Sequence, residues 1–484
     1  MKIQQATRIV ATLGPATNGE AVLLRLVRAG VDVFRFNMSH GTHEDHTVLM
    51  ARARAAAARV GRPVGILVDL QGPKARTACN EGGDPVPMPR GSEVRLVFTG
   101  GRPAPNLRSA PGRLVLALPD LSRELRAGDP VLFDDGRLAV TILGREGHAL
   151  RAKVTRGGQL KEHAGVNLPG RVSALTVPTP KDRKDAAFAV RQGADFVAVS
   201  FVQSAEDIVR VRRLLGPQPP LIIAKLEKPA ALADLDRILQ ATDGVMVARG
   251  DLGVELSLEQ VPLWQKEILR RARTRGVFTI TATEMLQSMV SSPVPTRAEV
   301  SDAANAILDG TDAVMLSAET ASGRYPVEAV KVLARVAGEA DRPWLSRTAA
   351  EIGADAARED VGTDDPLDAI TRTAVELAVR IGARRIGAFT MTGRTVQLLS
   401  RCRPPVPVIA LTPSEETRRR LTLHWNTRSL LQPKTRSVDD MMRRGIEIMR
   451  EHGEVRLGDT LVLTAGSAGM PAATNILRIV RVGE

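Results

Sequence analysis

The sequence predicts an α/β protein: a (β/α)8 TIM barrel with an inserted all-β lid domain and, after it, an open α/β domain. Three observations carry that prediction. A short β-branched apolar run, a polar turn and a helical stretch of roughly 10 to 18 residues recur between residues 8 and 319, and there are eight runs, the number that closes a parallel barrel. From residue 74 to about 171 the rhythm stops, and short strand-like runs alternate with Gly and Pro without a long amphipathic helix. Beyond a polar, acidic stretch that ends near Asp365, helix and strand alternate again.

Taken in order, the barrel runs are 8–14, 31–39, 64–70, 196–202, 221–227, 244–250, 277–283 and 313–319. The inserted runs include 93–98, 114–118 and 130–133. Because the insertion follows the third strand, it should sit over the C-terminal face of the barrel, where a mobile cap can exclude water. Strands of the last domain are expected near 385–390, 406–411, 427–431 and 460–464. The expected boundaries are 1–73 and 172–345 for the barrel, 74–171 for the lid, 346–364 for a linker and 365–484 for the C-terminal α/β domain.

The chain has 484 residues, 43% of them hydrophobic, which at roughly 150 residues per domain makes about three folded units. No stretch approaches the ~18 consecutive apolar residues of a membrane span. The start, Met1-Lys2-Ile3-Gln4-Gln5, lacks a signal peptide's hydrophobic core, so a soluble cytoplasmic protein without membrane contact is expected. Cys79 and Cys402 are too few for a disulfide scaffold or a cysteine metal site. A net charge of +13 raises the idea of nucleic-acid binding. However, arginines are interleaved with acids, aromatics are only 3%, and there is no basic tail, so small polyanions are the better match. No Gly precedes a Lys and no Gly-x-Gly occurs, which excludes the Walker A loop, the dinucleotide fingerprint and the protein-kinase glycine loop.

In such barrels chemistry lies where strands run out into their following loops. The second strand ends Arg35-Phe36-Asn37-Met38-Ser39, and the period-two alternation puts its polar residues on one face. The third ends in Asp69, the fifth in Lys225-Leu226-Glu227, the sixth in Ala248-Arg249-Gly250-Asp251, the seventh in Thr283 and the eighth in Glu319. Glu227 and Asp251 on adjacent strands form a carboxylate pair suited to Mg2+ or Mn2+, completed by substrate and water. Lys225 and Arg35 beside such a cation make sense when the substrate brings several negative charges. The Gly250 backbone allows close approach, and N–H groups entering the next helical turn can bind a carboxylate. The bland alternative, a turn at 249–251 and a satisfied Lys225–Glu227 ion pair, weakens as more strand ends carry charge.

With these motifs in view, the chain resembles the pyruvate kinase family. The resemblance rests on Ala11-Thr12-Leu13-Gly14-Pro15-Ala16, Arg35 to Gly41, Asp69-Leu70-Gln71-Gly72-Pro73, Gly165-Val166-Asn167-Leu168-Pro169-Gly170, Ala224 to Glu227, Val247 to Gly253, Pro295 to Glu299 and Leu308 to Thr320, in family order. It implies transfer of the phosphoryl group of phosphoenolpyruvate to ADP, giving pyruvate and ATP. By motif, Glu227 and Asp251 would bind the divalent metal, and Arg35 and Lys225 would neutralise the phosphoryl group in flight. Thr283 would order a water on the face where the enolate carbon is protonated, and Ala248, Arg249 and Gly250 would line the substrate. Asn37, His40 and Arg76 would hold the nucleotide. Asn37, Ser39, Asp69 and the Leu70 carbonyl match the family's monovalent-cation region, but Lys74 stands where potassium-dependent members carry an acid. A tethered ammonium there implies activity without potassium; the alternative is a lysine pointing into solvent. Glu284 replaces a common glutamine beside Thr283, and Ala318 replaces a glycine.

Thr390, Thr392, Gly393, Arg394 and Thr395 open a helix after a strand and form a candidate effector site for a phosphorylated sugar or nucleotide. The loop 466–471 lacks the basic and aromatic residues of fructose-bisphosphate-regulated animal forms. A homotetramer is implied by resemblance. His40, His43 and His46, with Glu44 and Asp45, mimic a metal cluster but lie around a helix start. Trp264 and Trp344 are expected to pack, and Thr296 with Glu299 to form a capping box. Two competing readings are another magnesium and enolate barrel, and a non-catalytic sensor or RNA-binding protein on this scaffold.

Overall fold

The computed structural model describes residues 5–73, 75–101, 106–134, 136–169, 176–358, 365–466 and 474–484. Eight parallel strands close a barrel in chain order: β1 (Arg8–Thr12), β2 (Val33–Asn37), β3 (Gly65–Asp69), β4 (Phe196–Val199), β5 (Leu221–Leu226), β6 (Gly244–Ala248), β7 (Phe278–Ala282) and β8 (Ala313–Leu316). All eight predicted runs are present. Each strand stops one to three residues short of its predicted end, where the chain leaves the ladder and turns onto the rim. The barrel strands are buried on both faces, which is why they read as unbroken apolar runs rather than as alternating ones.

The barrel interior is filled by side chains such as Val10, Leu67, Phe196, Ile223, Met246, Ile280 and Met315. Leu423, from the C-terminal part of the chain, belongs to the same cluster and is fully buried. It closes the floor. Gly65, at the start of β3, is required there, because a Cβ would lie 2.7 Å from the Phe196 ring and 2.8 Å from Thr422 Oγ1.

Four aspartates organise that floor, each placed just before an even-numbered strand. Asp32 Oδ2 accepts the N–H of Ile9 at 3.0 Å, Asp195 Oδ2 that of Ile66 at 2.9 Å, Asp243 Oδ2 that of Ile222 at 2.8 Å and Asp312 Oδ2 that of Thr279 at 2.8 Å. Each carboxylate thus grips the second residue of the preceding odd-numbered strand, a donor at the strand's entry. Each also has an arginine: Arg62 on Asp32 (3.2 Å), Arg419 on Asp195 (2.8 Å), Arg212 on Asp243 (3.0 Å) and Arg403 on Asp312 (3.1 Å). Arg403 and Arg419 come from the C-terminal domain, so the floor is sealed by charge as well as by Leu423.

Between β3 and β4 the chain forms a six-stranded sheet in the order Val166–Asn167, Pro130–Phe133, Leu138–Glu146, Ala149–Arg156, Glu93–Phe98, Arg113–Leu116, with its own apolar core. A two-stranded ribbon, Val86–Met88 with Gly158–Leu160, lies beside it. The C-terminal sheet runs β9 (Arg385–Phe389), β10 (Val408–Thr412), β11 (Thr427–Leu431), β12 (Thr460–Gly466) and β13 (Thr474–Arg481). Its spatial order is β11-β10-β9-β12-β13, with only β13 antiparallel. β13 is an addition to the sequence reading. Inside the stretch expected as a linker, Ala349–Arg358 is helical and starts on a Thr348–Glu351 cap; residues 359–364 lie outside the described residues. The expected Thr296–Glu299 capping box is present.

Candidate active site

Arg35 on β2 is buried and gives its Nε to Asp69 Oδ2 at 2.7 Å and its Nη1 to Thr12 Oγ1 at 3.0 Å. Three strands further round the barrel, Lys225 near the end of β5 gives its Nζ to Ser200 Oγ at 2.7 Å. The ammonium also lies 2.8 Å from Glu227 Oε1 and 3.4 Å from Asp69 Oδ1. Asp69 is therefore held between Arg35 and Lys225. Ser200, just past β4, gives its hydroxyl to the Leu70 carbonyl at 2.7 Å. Glu227 is 1% exposed, and its Oε2 accepts the backbone N–H of Phe201 at 2.7 Å.

These contacts set the charge states. Burial works against the Lys225 ammonium, but Asp69 and Glu227 outweigh it and raise its pKa. Burial also disfavours ionised Asp69, yet Lys225 and Arg35 bring its pKa below the usual carboxylate range. For Glu227 burial wins: despite Lys225, and with Asp251 adding like charge, its pKa is pushed up to about 7. Asp69 and Glu227 thus share Arg35 and Lys225, and Asp251 adds a further negative charge felt by Lys225 and Glu227.

The sixth and seventh strand ends are strapped together. Arg249 opens α2 (Arg249–Glu255) and gives Nη2 to the Thr283 carbonyl at 2.9 Å and Nε to the Ala282 carbonyl at 3.3 Å, while Nη1 lies 2.7 Å from Asp302. The Gly250 N–H donates to Thr283 Oγ1 at 2.7 Å, so this amide, expected to face a carboxylate, is engaged by the threonine. Thr283 and Glu284 both have positive φ, +69° and +54°. For a β-branched residue that is a genuine outlier, of the kind concentrated at functional sites.

Asn37 is the register neighbour of Asp69 on the adjoining strand, and the other predicted residues make their contacts elsewhere. Asn37 Oδ1 accepts the Ser39 N–H at 3.1 Å, and the His40 carbonyl faces His46 Nε2 at 2.8 Å. His43 Nε2 instead meets Asp185 Oδ1 at 2.8 Å, so the three histidines do not converge, and no group of three or more His, Cys, Asp or Glu suited to a metal occurs among the described residues. Arg76 Nη1 donates to the His163 carbonyl at 2.8 Å within the lid. Lys74 lies outside the described residues. Thr390 Oγ1 accepts the Gly393 N–H at 2.9 Å, and Gly393, at φ +94°, caps α3 (Arg394–Arg401). Thr395 Oγ1 meets Thr474 Oγ1 at 2.6 Å, Arg394 reaches Gln397, and Thr392 is exposed.

Sequence reasoning missed Ser200, Thr12 and Lys181. Thr12 and Ser200 lie in runs 8–14 and 196–202, the two predicted runs for which no candidate was named. Lys181, in α1 (Pro180–Arg191), donates to the Met38 carbonyl at 2.6 Å, bringing a cation to the loop of Asn37 and His40.

Fold and rim together define a lidded (β/α)8 enzyme whose charged cluster sits at the C-terminal ends of its strands. Family profiles for "Pyruvate kinase, barrel domain" and "Pyruvate kinase, alpha/beta domain" match residues 4–330 and 368–480. The chain belongs to the pyruvate kinase family. It is 41% identical to a pyruvate kinase of Agrobacterium vitis over 100% of both chains. It is 39% identical to one of Geobacillus stearothermophilus, covering 99% of this chain and 80% of that one. A crystal structure of a pyruvate kinase from Cryptosporidium parvum superposes with a TM-score of 0.92 at 32% identity, covering 99% of this chain and 96% of that one.

Proposed function

We propose that the protein transfers the phosphoryl group of phosphoenolpyruvate to ADP, giving pyruvate and ATP, with Mg2+ or Mn2+ held by Glu227 and Asp251 and without a need for potassium. The observation that carries this is the Arg35–Asp69–Lys225–Glu227 cluster at the strand ends. The donor set fits a hard divalent ion: two carboxylates, of which Glu227 is held above its usual pKa range by burial and by its like-charged neighbour, so that a divalent cation there would favour its ionised form. A bound divalent cation would supply charge stabilisation for the transferring group and turn a locally negative rim into one that accepts a polyanion.

The chain's own residues do the rest. Arg35 and Lys225, fixed by Asp69 and Ser200, present preorganised positive charge to the phosphoryl oxygens, and Lys225 steadies the enolate oxygen as the phosphoryl group leaves. Thr283, held by strain and by the Gly250 N–H, orders the water that protonates the enolate carbon, since its hydroxyl is too weak an acid to act alone. Asn37, His40 and Arg76 hold the nucleotide as the lid closes. Potassium independence rests on Lys74 and gains support from the rim, where both Asp69 oxygens already face cations and the Leu70 carbonyl is taken by Ser200. The turn at Thr390–Thr395 takes a phosphorylated effector, and the assembly is a cytoplasmic homotetramer.

The test is pyruvate formation from phosphoenolpyruvate and ADP with magnesium, first in sodium- and potassium-free buffer, then with potassium. Turnover in both supports the full reading. Turnover only with potassium removes the role given to Lys74, and none in either, with folded protein and candidate effectors present, favours a sensor.

A further inference from the structure

The closing strand of the lid touches the helix that carries Asp251. Asn167 Nδ2 donates to Glu255 Oε1 at 3.3 Å, and the same oxygen takes the ammonium of Lys228. Lys228 directly follows Glu227, and Glu255 lies one turn after Asp251 on the same face of α2. The Lys228–Glu255 pair therefore ties together the two segments that carry the carboxylate pair. It is nearly dry, with the Glu255 side chain 1% and that of Lys228 13% exposed. Lys228 Nζ also lies 5.7 Å from the centre of the Phe201 ring, and it is the Phe201 N–H that holds Glu227.

One atom does not fit a purely stabilising role. Glu255 Oε2 is buried and has no hydrogen-bond partner among the described residues. That oxygen has the capacity to accept one further donor. The lid has a second approach to the same place: a Cβ on Gly136 would come within 3.9 Å of Val254 Cγ1.

We propose that Glu255 is a positioning residue that sets the separation of Glu227 and Asp251 through Lys228 and, through Asn167, makes that separation depend on the lid. The inference rests on the reading of Glu227 and Asp251 as metal ligands. Mg2+ demands near-ideal octahedral geometry, so a small change in carboxylate spacing changes both affinity and the placement of the transferring group.

The experiment uses the full chain and Mn2+ as probe, with free Mn2+ followed by electron paramagnetic resonance in the absence of substrates. A purely electrostatic role gives opposite signs, because removing the Lys228 charge strengthens Mn2+ binding and removing the Glu255 charge weakens it. A strap gives one sign: Lys228→Met and Glu255→Gln each weaken Mn2+ binding, by about tenfold, and the double variant is no worse than the weaker single one. Asn167→Ala leaves Mn2+ affinity within about twofold and lowers kcat by about tenfold with little change in KM for phosphoenolpyruvate. Opposite signs, or unchanged Mn2+ affinities with only a lower Tm, overturn the proposal. If Glu255→Gln does not fold, Lys228→Met alone decides the sign. Glu227→Gln and Asp251→Asn are the reference: if they abolish Mn2+ binding while the strap variants leave it unchanged, the strap alone fails; if neither the reference nor the strap variants weaken it, the metal reading falls and the strap with it.

Discussion

At the floor of the barrel Asp32, Asp195, Asp243 and Asp312 each hold one backbone N–H and an arginine, whereas at the rim Asp69, Glu227 and Asp251 crowd around two cations. Depth does not make the difference. Burial raises the pKa of Asp195 and Asp312 as it does that of Glu227, and Arg419 and Arg403 oppose it at the floor as Lys225 does at the rim. The floor, however, matches every carboxylate with its own partners, while the rim adds a like-charged neighbour, Asp251. Charges at the floor have no work left once the chain is folded. Those at the rim are not matched one to one, which the proposed function would require of a site that stabilises developing charge.

The comparison breaks if floor and rim variants fail in the same way. Lys225→Met should lower kcat by about 10³-fold or more, in a coupled pyruvate assay, with a Tm within a few degrees of the parent. Asp312→Ala should do the reverse. Breaking a buried pair while leaving Arg403 uncompensated costs roughly 3–5 kcal/mol, seen as a Tm lower by about 10 °C, with activity at 25 °C within about twofold.

His424 sharpens the contrast at a smaller scale. It lies at the floor beside Phe278, and burial, reinforced by Arg8, holds its pKa down to about 4. Between that value and the unfolded pKa of about 6.5, the unfolded chain binds more protons than the folded one. Its contribution is complete above pH 6.5 and shrinks as the pH falls, by roughly 2 kcal/mol at pH 5. His424→Gln should flatten the dependence of Tm on pH between 4 and 6.5 and leave it unchanged above. Smallest is Glu284→Gly at the rim. Removing a side chain held at φ +54° should stabilise by about 1 kcal/mol in a denaturant titration while kcat falls several-fold, as Thr283 loses its constraint.

What was legible in the sequence follows the same division. The eight barrel strands could be read because strands buried on both faces are continuous apolar runs. Arg35, Asp69, Lys225 and Glu227 could be read because charge at the end of such a run is conspicuous. β13 was missed because Arg478 and Arg481 interrupt its apolar pattern, and the helix at Ala349–Arg358 because its polar, acidic face looked like a linker. Ser200 carries no charge to draw notice. The floor aspartates were in plain view, in Val31-Asp32-Val33, Ala194-Asp195-Phe196, Thr242-Asp243-Gly244 and Thr311-Asp312-Ala313, but attention to the strands' far ends passed over them. The tie from Asn167 to Glu255 joins residues 88 positions apart, which no local pattern reports.

Leu423 in the barrel floor has a consequence for the order in which the chain can be made. The last barrel strand ends at Leu316, and the residue that seals the interior follows about a hundred residues later. At a synthesis rate of about 5–20 residues per second, the complete set of barrel strands waits roughly 5–20 s on the ribosome with its floor open. Phe196, Phe278 and their neighbours are exposed to solvent and to other nascent chains for that interval, so the barrel completes its core only when the C-terminal domain is far enough out to dock.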